Sequence, residues 1–217
     1  KAIVGASVGA ALMGMRPVSE VQYADFLFCC MDEIVNISAK MRYMSGGQFK
    51  VPMVLRCPTG ATTRGAQHAQ SPEGFFMHVP GIKVVAPSTP YDAKGLLKQA
   101  IRDDSPVLFF EHKLLYGSKG SVRKESGSLD TSMFVPKEEY TIPIGKADIK
   151  KTGSDITIVS LLMSVHWSLA AAQILENEGI QMEVIDLRSL LPLDKETIVE
   201  SLMKTGRLMI VEEDTKT

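Results

Sequence analysis

Ile82-Lys83-Val84-Val85-Ala86, Ser88-Thr89-Pro90 and Val107-Leu108-Phe109-Phe110 are the pieces that decide the fold. The first and last are apolar runs of strand length. Between them Ala93, Leu96, Leu97, Ala100 and Ile101 recur at i, i+3, i+4, i+7 and i+8, one face of a helix. Ser88-Thr89 offers a hydroxyl cap, Pro90 suits the first turn, and Asp92 lies near the positive end of the helix dipole. Asp103-Asp104-Ser105-Pro106 ends the helix. Strand, helix and strand at this length make a βαβ unit, and so a parallel sheet.

Upstream, Val51 to Leu55 reads as a buried strand. It runs into a polar loop, Cys57-Pro58-Thr59-Gly60-Ala61-Thr62-Thr63-Arg64-Gly65-Ala66-Gln67-His68-Ala69-Gln70, and then an amphipathic stretch, Pro72 to His78. Ligands of parallel sheets collect beyond the carboxyl ends of the strands, so this loop is the first candidate site. Met31 to Tyr43 has helical spacing and stops at Gly46-Gly47. Val18 to Gln22 reads as a short strand, with Tyr23-Ala24-Asp25-Phe26 at its end. Ala2 to Met15 reads as a helix broken by Arg16-Pro17. Its Gly5, Gly9 and Gly14 fit neither phosphate-loop pattern. Gly5 and Gly9 have the spacing that lets helices approach closely.

Downstream, 117–141 is rich in Gly, Ser, Lys and Glu without an apolar period, and reads as a linker or long surface crossing. A second α/β pattern follows. Asp155 to Leu161, Met182 to Leu187 and Arg207 to Glu212 read as strands, and Val165 to Glu178 and Lys195 to Lys204 as helices. The expected division is therefore 1–116, a linker at 117–141, and a second, partial domain at 142–217. The chain starts inside a helical pattern without Met and stops just after a strand, so a fragment is expected.

The chain has 217 residues, a net charge of −1 and scattered basic residues, which argues against a nucleic-acid footprint. Cys29, Cys30 and Cys57 have neither metal spacing nor a disulfide framework, which points to a reducing compartment. The Ala2–Met15 run is too short to span a membrane.

Several stretches point one way together: Arg16-Pro17-Val18 through Phe26, Arg42-Tyr43-Met44-Ser45-Gly46-Gly47, and Gln67-His68-Ala69-Gln70-Ser71. So do Val79-Pro80-Gly81-Ile82-Lys83-Val84-Val85, Pro90-Tyr91-Asp92-Ala93-Lys94-Gly95-Leu96-Leu97, and Glu183-Val184-Ile185-Asp186-Leu187-Arg188-Ser189-Leu190. The chain resembles the β subunit of the thiamine-diphosphate-dependent decarboxylase component of 2-oxo-acid dehydrogenase complexes, the group of pyruvate, branched-chain and acetoin enzymes.

The resemblance implies an α/β fold: a pyrimidine-binding thiamine domain, a parallel sheet flanked by helices, then a truncated transketolase C-terminal-like domain. It implies oxidative decarboxylation of a small 2-oxo acid, with pyruvate favoured, and acyl transfer to the lipoyl arm of an acyltransferase core. Branched-chain and acetoin substrates, a single-chain transketolase or deoxyxylulose-phosphate synthase, and a non-catalytic scaffold are the alternatives. Thiamine diphosphate would be shared with an α subunit in a heterotetramer of two α and two β chains. The α subunit would hold Mg2+ and the diphosphate through a Gly-Asp-Gly motif, which this sequence lacks. Bacterial cytoplasm and mitochondrial matrix both suit such a protein.

Residue by residue, the resemblance makes His68 the active-site histidine, a group whose ordinary pKa suits proton transfer near neutrality. Phe26 matches the ring that packs on the aminopyrimidine, and Gln22 lines the same pocket, with Tyr23 and Asp25 as weaker candidates. The carboxylate that activates the cofactor is expected immediately upstream of Lys1, and neither Glu20 nor Glu33 is promoted in its place. A K+ site is implied on carbonyls of Met53, Ala100, Ile101, Asp103 and Ser105, where relatives often carry Asn in place of Ser105. Unpaired carbonyls at a helix C-terminus suit a cation. His78, His112 and His166 are weaker candidates: His78 is expected to make a structural hydrogen bond, and His166 to face the domain interface.

Overall fold

The computed structural model describes residues 1–62, 64–116 and 129–215. Residues 117–128 of the linker expected at 117–141, Thr63 of the loop, and the last two residues lie outside the described residues.

The first half alternates α1 (Ala2–Leu12), β1 (Val18–Glu20), α2 (Met41–Met44), β2 (Val54–Thr59), α3 (Glu73–Met77), β3 (Lys83–Val85), α4 (Pro90–Arg102) and β4 (Val107–His112). The second half carries β5 (Asp148–Lys151), β6 (Ile156–Ser160), α5 (Met163–Glu176), β7 (Met182–Asp186), β8 (Ser189–Leu191), α6 (Lys195–Thr205) and β9 (Leu208–Val211). The βαβ reading holds: β3 and β4 pair parallel, with Val84 opposite Leu108. Strands alternate between two apolar layers, as a pleated sheet buried on both faces must. Leu55, Cys57, Leu108 and Phe110 face α1 and the chain that follows it. Val54, Val107 and Phe109 face Leu96 and Ala100 of α4. Thr89 caps α4 by accepting from the Asp92 N–H at 3.1 Å, as its sequence predicts.

Three expectations need correction. The helix expected over Met31–Tyr43 is not one α-helix. A 3-10 stretch (Ala24–Cys30) leads into a π-helix (Asp32–Ser38) and only then α2. Spacing of apolar residues alone does not separate these helix types. The strand expected at Val51–Leu55 starts later and runs to Thr59. Pro58 is tolerated there because β1 stops pairing at Arg56, and Pro58 faces only Glu111 of β4. Gly5 and Gly9 mediate no close helix contact among the described residues. A Cβ at Gly5 would meet only the Glu33 side chain at 3.8 Å, and one at Gly9 would meet nothing within 4 Å. Strands β5 and β8, by contrast, have no clear signal in the sequence.

Strand β8 matters most, because it adds antiparallel to β3 and completes the first sheet, β1-β2-β4-β3-β8. The second sheet is β5-β7-β6-β9. Val159, Ile185, Leu187 and Leu190 share one apolar cluster with Val4, Phe76 and Phe110, so the halves have a continuous core. An ionic cluster lies beside it. Lys150 Nζ reaches Asp92 Oδ2 at 2.6 Å and Asp148 Oδ2 at 2.7 Å, and the Arg188 guanidinium reaches Asp92 Oδ1 at 2.5 Å. Ser88 donates to Asp186, and His166 Nε2 lies 2.7 Å from the Ser88 carbonyl, linking α5 to the first sheet. The segment before β5 lies along α4: Tyr140 stacks on Tyr91 at 4.5 Å, and Lys94 donates to the Glu138 carbonyl at 2.9 Å.

Candidate active site

Strand β2 ends at Thr59, and Gly60 turns the chain out of the sheet at φ +95°, a conformation that favours glycine. A 3-10 turn, Ala66–His68, carries the histidine. Its ring is met edge-on by Tyr23 at 4.6 Å and by Phe26 at 5.6 Å, and those two rings meet each other at 5.7 Å. The segment after β1 therefore reaches the loop after β2, two neighbouring strands opening at the same end of the sheet. Arg64 donates to the Tyr23 hydroxyl at 3.0 Å.

The loop is tied down from below. Gln70 donates through its side-chain amide to Asp25 Oδ1 at 2.8 Å. Lys113 Nζ donates to the His68 carbonyl at 2.7 Å and sits 5.2 Å over the Tyr23 ring. Burial lowers the Lys113 pKa. Thr59 donates to Glu73 Oε1 at 2.5 Å. Burial pushes the Glu73 carboxyl up to about 7, against the Thr59 hydrogen bond that lowers it.

This arrangement fits a flat heterocycle. Phe26 keeps 37% of its surface exposed beside the half-buried His68. Asp25 is buried, and beside the Oδ1 that accepts from Gln70 its Oδ2 has no hydrogen-bond partner among the described residues. Gln22 is exposed, one residue before Tyr23, and takes no part in these contacts. Among the described residues, no group of three His, Cys, Asp or Glu side chains is placed to hold a metal ion. Sequence reasoning passed over Lys113 and Glu73; the one signal for Lys113 was its place beyond the carboxyl end of a parallel strand.

The residues expected to hold K+ gather at the C-terminus of α4, but Arg16 is already there. Its Nη1 donates to the Ile101 carbonyl at 3.1 Å and the Asp103 carbonyl at 2.9 Å. The Met53 carbonyl accepts from Val107 N–H at 2.9 Å and the Ala100 carbonyl from Asp103 N–H at 3.2 Å. Asp103 also pairs with Lys83 and caps Ser105 N–H. An alkali cation would have to share these oxygens with a guanidinium.

The family described as transketolase, pyrimidine binding domain, matches residues 1–119. The chain belongs to this family. Residues 145–217 match the transketolase C-terminal domain. Within the family the chain is β-subunit-like. It is 49% identical over 216 residues to the 2-oxoisovalerate dehydrogenase subunit beta of Bacillus subtilis, covering 99% of this chain and 62% of that protein. It is 49% identical over 213 residues to the acetoin:2,6-dichlorophenolindophenol oxidoreductase subunit beta of Cupriavidus necator, covering 98% and 59%. The pyruvate dehydrogenase E1 component subunit beta of Bacillus subtilis is 48% identical over 215 residues, covering 99% and 62%. The chain thus spans about three fifths of the length of these relatives. Among solved structures, a split-gene transketolase described as an inactive beta4 tetramer superposes with a TM-score of 0.77 at 25% identity, covering 98% of this chain and 62% of that one. The expected preference for pyruvate gains no support, because branched-chain and acetoin relatives are as similar as the pyruvate one.

Proposed function

We propose that this chain forms the pyrimidine-side wall of a thiamine-diphosphate-dependent decarboxylase acting on a branched-chain 2-oxo acid or acetoin, with an α subunit completing the site. The observation that carries the reading is the Tyr23–Phe26–His68 ring cluster at the carboxyl ends of β1 and β2. Identities near half over almost the whole chain favour this over a transketolase activity, for which the likeness stands at 25%. The α subunit is proposed to hold Mg2+ and the diphosphate. The inactivity stated for the all-β split transketolase supports that dependence.

When bound, thiamine diphosphate supplies the electron sink that decarboxylation needs. The chain's own residues bind, orient and move protons. Phe26 offers its ring face to the aminopyrimidine, and Gln22 is proposed as a lining hydrogen-bond donor. Tyr23 and Phe26 pack against the His68 imidazole in T-shaped contacts, while Lys113 holds its backbone carbonyl. His68 is then free to bind the substrate carboxylate and to carry a proton during transfer of the acyl group to a lipoyl arm.

The test uses the full-length chain assembled with its α partner, with and without thiamine diphosphate. Pyruvate, branched-chain 2-oxo acids and acetoin are compared side by side. His68→Ala is expected to lower kcat by about 10²–10⁴, the usual worth of a positioned acid or base. A wild-type rate in His68→Ala removes its catalytic role, and turnover by purified β chains alone removes the shared site.

A further inference from the structure

His112, Glu213 and Gly60 meet behind the loop that carries His68. His112 ends β4 and is 1% exposed. Leu114 N–H donates to its Nδ1 at 3.1 Å, so that nitrogen is an acceptor and the ring proton sits on Nε2. Nε2 lies 2.5 Å from Glu213 Oε2. The same carboxylate oxygen accepts from Ala61 N–H at 3.4 Å. Gly60 leaves room for the ring: a Cβ there would fall 2.0 Å from His112 Nε2. The next residue along, Lys113, holds the other limb of the loop through the His68 carbonyl. One strand end therefore grips both limbs, and one grip is anchored on Glu213, just past β9 of the second sheet.

We propose that Glu213 is a positioning residue for the His68 loop, acting through His112 and Ala61. This deepens the reading of His68 as the catalytic histidine and rests on it. The carboxylate is an acceptor shared by a side-chain and a backbone donor from two different elements. It fixes the His112 ring plane against Gly60, and with it the point where the loop leaves β2. A shift of about 1 Å at a reacting group costs up to about 100-fold in rate.

The test uses Glu213→Ala and Glu213→Gln in the full-length chain assembled with its α partner. Glu213→Ala is expected to lower kcat about 10- to 100-fold while KM for the 2-oxo acid stays within about twofold. Glu213→Gln keeps an acceptor oxygen and is expected to return kcat to within about threefold of wild type. Amide hydrogen exchange at Ala61, Thr62 and Ala66–His68 should quicken about tenfold in Glu213→Ala alone, with the Val107–Phe110 amides unchanged. Unchanged kcat in Glu213→Ala overturns the proposal. So does a Gln variant as slow as the Ala variant, or exchange that quickens equally across β2 and β4. The exchange readout needs no turnover. A wild-type assembly without decarboxylase activity would therefore sink the proposed function while the loop anchor is still measured.

Discussion

Lys150→Met tests how the two sheets are held together. Lys150 Nζ contacts Asp92 Oδ2 at 2.6 Å, Asp148 Oδ2 at 2.7 Å and Asp186 Oδ2 at 3.6 Å. Asp92 and Asp186 are fully buried, and the Lys150 side chain is only 12% exposed. Burial alone would raise the Asp92 pKa, but hydrogen bonds from Lys150 and Thr89 outweigh it and hold the carboxyl below its usual range. Burial dominates at Asp186 and pushes it up to about 6. Methionine preserves much of the apolar stem and removes the charge. Arg188 is then the remaining cation contacting Asp92 and Asp148. Leaving the buried Asp186 carboxylate without its cation costs about 3–5 kcal/mol. At about 2–4 °C per kcal/mol for a chain of this size, Tm should fall by about 6–20 °C. The assay is thermal unfolding of the full-length chain, wild type and variant, at intervals from pH 8 to pH 5. Lys150 holds the Asp186 pKa down, so without it the carboxyl takes up its proton at a higher pH than in the wild type. The gap should narrow as pH falls from 8 and level off near pH 6, where the wild-type carboxyl is protonated as well. A Tm change under about 2 °C, or a gap constant across that range, would refute the reasoning.

Two further substitutions probe the site and its surroundings. Glu73 has a folded pKa of about 7, above its unfolded value, so its contribution to stability is full below about pH 4.5 and is lost as pH rises through 7. Glu73→Gln should therefore gain stability relative to wild type between pH 5 and pH 8, by up to about 3 kcal/mol in denaturant melts; parallel pH profiles would contradict the buried neutral carboxyl. Arg16→Ala frees the Ile101 and Asp103 carbonyls and should cost about 1–2 kcal/mol, partly restored by K+ and not by choline. A melt insensitive to K+ would remove the idea that these carbonyls form a cation site.

Much of the fold was legible because it is written in local periodicity. The α4 cap, its apolar face and the flanking strands are contiguous in the chain, so residues 82–110 could be read without help from elsewhere. The loop with His68 was legible for a related reason: it leaves the carboxyl end of a parallel strand. The π-helix was not, since its apolar spacing resembles that of an α-helix. Strand β8 was not legible because a three-residue strand carries little pattern of its own; pairing with β3, about 100 residues earlier, makes it a strand.

The sequence by itself determined a parallel α/β architecture in two units, a polar loop carrying His68, and kinship with the transketolase pyrimidine-binding family. Side-chain chemistry and spacing within short windows carry that information. Only the tertiary structure decided what surrounds the loop. It set Tyr23 and Phe26 on the His68 ring, put the Arg16 guanidinium on the carbonyls expected for a cation, and joined His112 to Glu213. Those partners lie 42 to 101 residues apart, and the hydrogen bonds and ring contacts between them exist only after the sheets have brought their ends together.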